Sequence, residues 1–212
     1  LVIERNKADD TFGWGVVFSD QTMERLQAND TQSADWILDQ FAHWDDIEVH
    51  YRNHVIRSGG HGFSGLGRQR LLHLLQKRAL ELGVKLHFEH EIHNLDQFKD
   101  ADLIVACDGI NSWIRDEHAE HFQPDIDVRS NRFVWLGTNK VFEAFTFIFE
   151  PTEHGWIWAH AYRFDKDTST FIIECTEETL KGLGFDQMNQ EESIAVCETI
   201  FSKYLDGHRL MS

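Results

Sequence analysis

Only two prolines and three cysteines occur in these 212 residues, and positive charge is scarce. Twenty lysines and arginines stand against 36 aspartates and glutamates, a net charge of −16. Each shortage excludes something. Cys107, Cys175 and Cys197 are scattered and lack CxxC spacing, so they suggest neither a disulfide frame nor a zinc site. They fit a reducing cytoplasm. A surface this acidic repels phosphate backbones, so nucleic acid is not an expected partner. No apolar run approaches the roughly 18 residues of a membrane span, and no signal peptide is visible. With so little proline, no linker stands out, and there is no internal repeat.

What is present is a chain with 42% hydrophobic and 26% charged residues, the balance of a globular protein. LVIERN (1–6) is three apolar residues followed by an acid. GWGVVFSD follows a polar turn, and Ser19 is placed to cap a helix from about Asp20 to Gln27. Ser33 is read as the cap of another, ending near Ala42. Ile47 to Tyr51 and Val55 to Arg57 read as a hairpin. RQRLLHLLQKRALELG is an amphipathic helix, with Leu71, Leu74, Leu75, Arg78 and Leu82 at helical spacing and Gly83 to end it. VKLHFEHEI reads as a strand with His87, Glu89, Glu91 and His93 on one face. That face is read as solvated, and no metal is assigned. The short apolar run Leu103 to Ala106, closed by Asp108-Gly109, suits a parallel strand buried on both faces.

From Arg132 the pattern changes. FVWLG, FTFIFE, GWIWAHAYRF and STFIIECT read as an antiparallel meander, and two helices follow, around Glu177 to Leu183 and Gln190 to Leu205. The expected fold is α/β (α+β). A partial Rossmann-like α/β region over residues 1–128, with a hairpin insertion at about 45–60, joins an antiparallel lobe over residues 129–212. Such a join commonly houses a ligand.

Three strings carry the chemistry. Glu4, ending its strand, offers a carboxylate to two ribose hydroxyls. Asp108 and Gly109 stand where a strand would end at the carboxyl edge of a sheet, with Ser112 and Arg115 opening a helix or turn. Arg68 precedes the amphipathic helix, so its guanidinium and the helix N-terminus both favour an anion. On the meander, His160 and Tyr162 flank Ala161 and so share a face. Basic residues that an anionic ligand would need cluster at Arg52, Arg57, Arg68, Arg70, Lys77 and Arg78, and at Arg129 with Arg132.

Together these strings resemble the flavoprotein aromatic hydroxylases built like p-hydroxybenzoate hydroxylase. DTFGWGVVFSD, HWDDIEV, IRSGGHGFSGLGR, WLGT and FTFIFEPTEHGWIWAHAY are similar, more closely, to the aryl-CoA monooxygenases such as salicylyl-CoA 5-hydroxylase. GWGVV also occurs in a related tryptophan-derivative hydroxylase of pigment biosynthesis. The resemblance implies FAD as cofactor, NADH or NADPH as co-substrate, and dioxygen captured as a flavin C4a-hydroperoxide. It also implies a small aromatic CoA thioester such as salicylyl-CoA as substrate, with no membrane involved. It assigns the adenosine ribose to Glu4, the ribityl-phosphate region to Arg68, and the pyrophosphate side to Asp108 and Gly109. The loop with Gly15 and Val16 becomes the wall beside the isoalloxazine. Trp14, His160 and Tyr162 become the substrate side, and no general base is named. The glycine-rich turn and first strand of the family are missing, as is its Gly-Asp segment after the meander. The chain is therefore expected to be a fragment cut at both ends that binds FAD poorly. A hydroxylase of a free indole or phenolic acid, and a flavin-free remnant of the fold, are the competing expectations.

Overall fold

The computed structural model describes residues 1–212. Strand β1 (Val2–Ile3) leads through a polar turn to β2 (Gly15–Ser19). Ser19 ends β2 and caps α1 (Asp20–Asn29), its hydroxyl accepting from the Thr22 amide. Helix α2 (Thr31–Leu38) starts after Asp30, not at Ser33. The Ser33 hydroxyl instead donates to the Asp30 carboxylate at 2.6 Å, and Ala42 already belongs to β3 (Ala42–Trp44). The hairpin of β4 (Ile47–Tyr51) and β5 (His54–Ser58) turns on Arg52 and Asn53. Both have positive φ, 47° and 65°, the twist that a two-residue hairpin demands.

Strand β6 (Phe63–Gly67) runs into α3 (Arg68–Glu81). Leu74 of α3 packs with Met23, Ile37 and Leu66 in a small core, and Gly83, at φ 77°, lets the chain leave the helix. Strand β7 (Leu86–His87) pairs in parallel with β1.

Two expected strands are corrected here. VKLHFEHEI is extended and paired only at Leu86–His87, and Glu89 breaks the run with φ 55°. Residues 103–106 form no strand, and Leu103 and Val105 are 79% and 72% exposed. The reason is pairing. A lone extended segment leaves its N–H and C=O groups to water, and β1 offers its bonds to β7 alone.

After α4 (Trp113–Glu117) and α5 (Ala119–Phe122) come β8 (Arg132–Thr138), β9 (Phe145–Thr152), β10 (Gly155–Arg163) and β11 (Ser169–Cys175). Helices α6 (Glu177–Gly182), α7 (Gln190–Ile200) and α8 (Ser202–Leu205) and the short β12 (Leu210–Met211) complete the chain. The expected last helix is thus two, broken at Phe201.

The main sheet has seven strands in the order β12-β8-β11-β10-β9-β4-β5. It is antiparallel except where β4 lies parallel to β9, Ile47 beside Phe145. The early hairpin, which lies in the first half of the sequence, joins this sheet through β4. A second sheet, β2-β6-β3, is antiparallel throughout.

The two faces of the main sheet differ. Behind it, Leu136, Ile148, Ile157, Ala159, Ala161, Phe171 and Ile173 pack on Cys197, Phe201 and Leu205 of the final helices. The leucine, isoleucine and phenylalanine side chains among them contribute roughly 1.5–3 kcal/mol each when fully buried, which makes this the principal core. In front, paired residues line up in rows, because direct partners point to the same face. One row contains Ile47, Phe145, Tyr162, Thr170 and Gly137. The next contains Val49, Phe147, His160, Ile172 and Trp135. A third contains Tyr51, Phe149, Trp158, Glu174 and Phe133.

Candidate functional site

The first front row is roofed by the small sheet. Tyr162 donates its hydroxyl to the Gly15 carbonyl at 3.0 Å, and the Gly15 amide donates to Thr170 Oγ1 at 3.1 Å. Trp44 stacks on Tyr162 with ring centroids 6.2 Å apart, and Phe63 meets Phe145 edge-on at 5.6 Å. Val16 continues the roof, paired with Leu66. Two glycines make the approach possible. A Cβ on Gly13 would lie 2.6 Å from the Trp135 ring, and one on Gly137 would lie 2.6 Å from the Trp14 ring. Each tryptophan fills the gap left by the glycine facing it. The loop's glycine at 13 thus serves close contact with the main sheet.

The second row lies where the roof ends. His160 is half-buried, its ring 5.1 Å from that of Phe147 and opposite Ile172. Desolvation lowers its pKa below the ordinary histidine value, against a weaker upward pull from the Glu174 charge. The imidazole is therefore neutral near pH 7. Its side chain makes no hydrogen bond within the protein. At the end of the same row, the Trp135 indole N–H is buried without a partner. The Arg68 guanidinium lies over that ring, 5.2 Å from its centroid.

Of the residues singled out from sequence, Trp14, Gly15, Val16, Arg68, His160 and Tyr162 are brought to this roofed edge. Tyr162 shares the His160 face as expected. Its hydroxyl proton, however, goes to the Gly15 carbonyl, and desolvation raises its pKa, so it has no proton to offer a ligand. Glu4 and Asp108 stand on other elements. Glu4 Oε1 accepts from the Asn6 backbone and side-chain amides, both at 2.7 Å, and its second oxygen has no partner in the chain. Asp108 accepts from Ser112 Oγ at 2.7 Å, which holds its carboxyl below the usual range. The same hydroxyl accepts from the Arg115 amide and caps α4. Arg115 itself is paired with Asp116. Asp108, Gly109, Ser112 and Arg115 line a cleft of about 600 Å³ with Ile104 and Phe122.

Most of the basic residues that the sequence offers to an anion are already neutralised. Arg57 pairs with Asp46 and Glu48, Arg78 with Asp30, Arg129 with Asp127 and Arg132 with Glu177. His154 packs on Gly182 of α6, away from the front face. Sequence reasoning missed Trp135, Phe147 and Ile172, which frame His160. The signal available was complementarity: Gly13-Trp14 in one string and Trp135-Leu136-Gly137 in the other each pair a large ring with a missing side chain.

No family model matches the chain. Salicyloyl-CoA 5-hydroxylase of Streptomyces sp is 38% identical over 219 residues, which take in all of this chain and 42% of that protein. Protodeoxyviolaceinate monooxygenase of Chromobacterium violaceum is 30% identical over all of this chain and 57% of its own length. The chain spans about half the length of these curated relatives. Among solved structures, a probable FAD-dependent monooxygenase from Pseudomonas aeruginosa superposes with a TM-score of 0.60, at 14% identity. That match covers 85% of this chain and 55% of the other, and it shows a shared fold.

Proposed function

We propose that this chain, a relative of aromatic monooxygenases along its whole length, forms the substrate side of an FAD-dependent hydroxylase of an aryl-CoA thioester such as salicylyl-CoA. The observation that carries the proposal is His160: neutral, half-buried and free of protein partners, on an apolar floor of Phe147 and Ile172 where the roof ends. Such a base, held dry beside a ring hydroxyl, accepts its proton and raises electron density para to it. Were FAD bound, it would supply the oxygen added at that carbon, and the chain's own part would be to orient the ring and hold its hydroxyl proton on His160.

The residues present fit FAD at this edge. The orphaned Trp135 N–H is a buried donor in want of an acceptor. Arg68 has no carboxylate partner, and α3 begins without a side-chain cap, so both favour a phosphate. When bound, FAD would supply dioxygen activation, with electrons from NADH or NADPH. Glu4 would hold the adenosine ribose through its open oxygen, and Asp108 and Gly109 would lie along the pyrophosphate. Arg68 would meet the ribityl-phosphate, with Gly15 and Val16 forming the wall beside the ring system and Trp14 its apolar edge. The roof and floor keep water from the reacting atoms. Three unpaired thiols accord with work in the cytoplasm.

Likeness to protodeoxyviolaceinate monooxygenase favours a second reading, hydroxylation of a free indole or phenolic acid. One assay separates them. With FAD, a reduced nicotinamide and salicyloyl-CoA, the expected product carries one added oxygen atom. His160→Gln is expected to lower turnover about 100-fold and to remove the acid limb of the pH profile. Faster turnover of free acids would favour the second reading. No product from either substrate class, with the chain assayed in a protein of its relatives' full length, would sink both.

A further inference from the structure

Among the arginines, only Arg25, Arg52, Arg68 and Arg70 lie outside every ion pair. Of these four, only Arg52 and Arg68 lie over aromatic rings, and they mark opposite ends of the front face. Arg68 is at the roofed end. At the open end, Tyr51 and Trp156 stack with centroids 5.3 Å apart and planes 17° from parallel. The Arg52 guanidinium sits 5.3 Å from the first ring and 5.7 Å from the second. No protein layer covers this cluster, and Tyr51 is 42% exposed.

Stacking occupies the face of a guanidinium and leaves its in-plane N–H groups pointing outward. None of those of Arg52 is taken by an ion pair or hydrogen bond in the protein, so they are available to a phosphate. In a chain of net charge −16, a free and positioned arginine is the exception. The aromatic pair supplies what a nucleobase needs, a flat apolar platform. Trp156 and His160 lie on the same face of β10, four residues or about 13 Å apart. That span is of the order of an extended pantetheine arm.

We propose that Tyr51, Arg52 and Trp156 bind the nucleotide end of coenzyme A, the base stacking on the ring pair and a phosphate meeting Arg52, while the thioester's aryl group reaches the His160 row. This rests on the aryl-CoA reading above and names the subsite that would distinguish a CoA thioester from a free acid. Arg57, Arg129 and Arg132 are left out because carboxylates already hold them.

The test is calorimetric titration of coenzyme A, and separately of pantetheine, into the chain and two variants. Arg52→Gly and Trp156→Ala should each weaken coenzyme A about tenfold and leave pantetheine unchanged, and affinity for coenzyme A should fall with salt. Arg52→Gly separates binding from folding. At φ 47° glycine is the favoured residue, so this variant should melt at or above the temperature of the unsubstituted chain while binding more weakly. Coenzyme A affinity untouched by both substitutions, or pantetheine binding as tightly as coenzyme A, would overturn the proposal and leave the aryl-CoA reading standing. Absence of any coenzyme A binding to the unsubstituted chain would overturn both.

Discussion

His160 shows how much one position on a strand can determine. Its neighbours in sequence, Ala159 and Ala161, are wholly buried behind the sheet, so the imidazole points forward by alternation alone. Burial then keeps it uncharged, which gives stability a pH dependence of definite sign. Because desolvation lowers its pKa in the folded protein, the unfolded chain binds that proton more tightly. Stability owed to the neutral ring is complete above the unfolded value of 6.5 and is lost as pH falls from there through the lower folded value. Thermal melts of the unsubstituted chain and of His160→Gln at about pH 7.5 and about pH 5.5 should therefore diverge in acid. The unsubstituted chain should lose more, and equal losses would contradict a desolvated imidazole. The sequence revealed the shared face of His160 and Tyr162. It did not reveal that the Tyr162 hydroxyl is engaged by Gly15, because that bond joins residues far apart in the chain.

Between elements, the decisive contact is the crossed pair of Gly13 with Trp135 and Trp14 with Gly137, which fastens the roof to the main sheet. Gly137 has no positive φ, so a substitution there tests contact without backbone strain. Gly137→Ala places a Cβ 2.6 Å from the Trp14 ring and should cost about 1–3 kcal/mol in urea unfolding. Trp14→Ala in the same chain should recover part of that cost, a coupling that a double-mutant cycle reads directly. Strictly additive losses would mean that the two do not press on one another. Local elements were legible for local reasons: α3 from its periodicity, α1 from Ser19, and the hairpin from its bounded apolar runs. Residues 103–106 carry the composition of a buried strand, yet composition does not supply a partner, and the segment is exposed. The placement of β8 beside β11, and of β4 beside β9, rests on long-range pairing that no local pattern encodes.

Over the whole molecule, the net charge of −16 sets a background of self-repulsion, and the principal core lies behind the main sheet. Raising sodium chloride from about 20 mM to about 150 mM should therefore increase the melting temperature by screening. A melting temperature that falls with salt would mean that the ion pairs outweigh the surplus of acid. No helix is long and apolar enough to cross a membrane. The parallel pairing of β4 with β9 also has a bearing on kinetics. During synthesis the hairpin can close as soon as it emerges, since its own register needs only its two-residue turn. Ile47 must then wait for Phe145 before the sheet can form around it. Throughout that delay the β4 edge is open to other chains as well as the β5 edge, which remains the end of the finished sheet with Val55 and Ile56 exposed. What the parallel pairing adds is thus a wait: the β4 edge, made first, stays solitary until β9 is made.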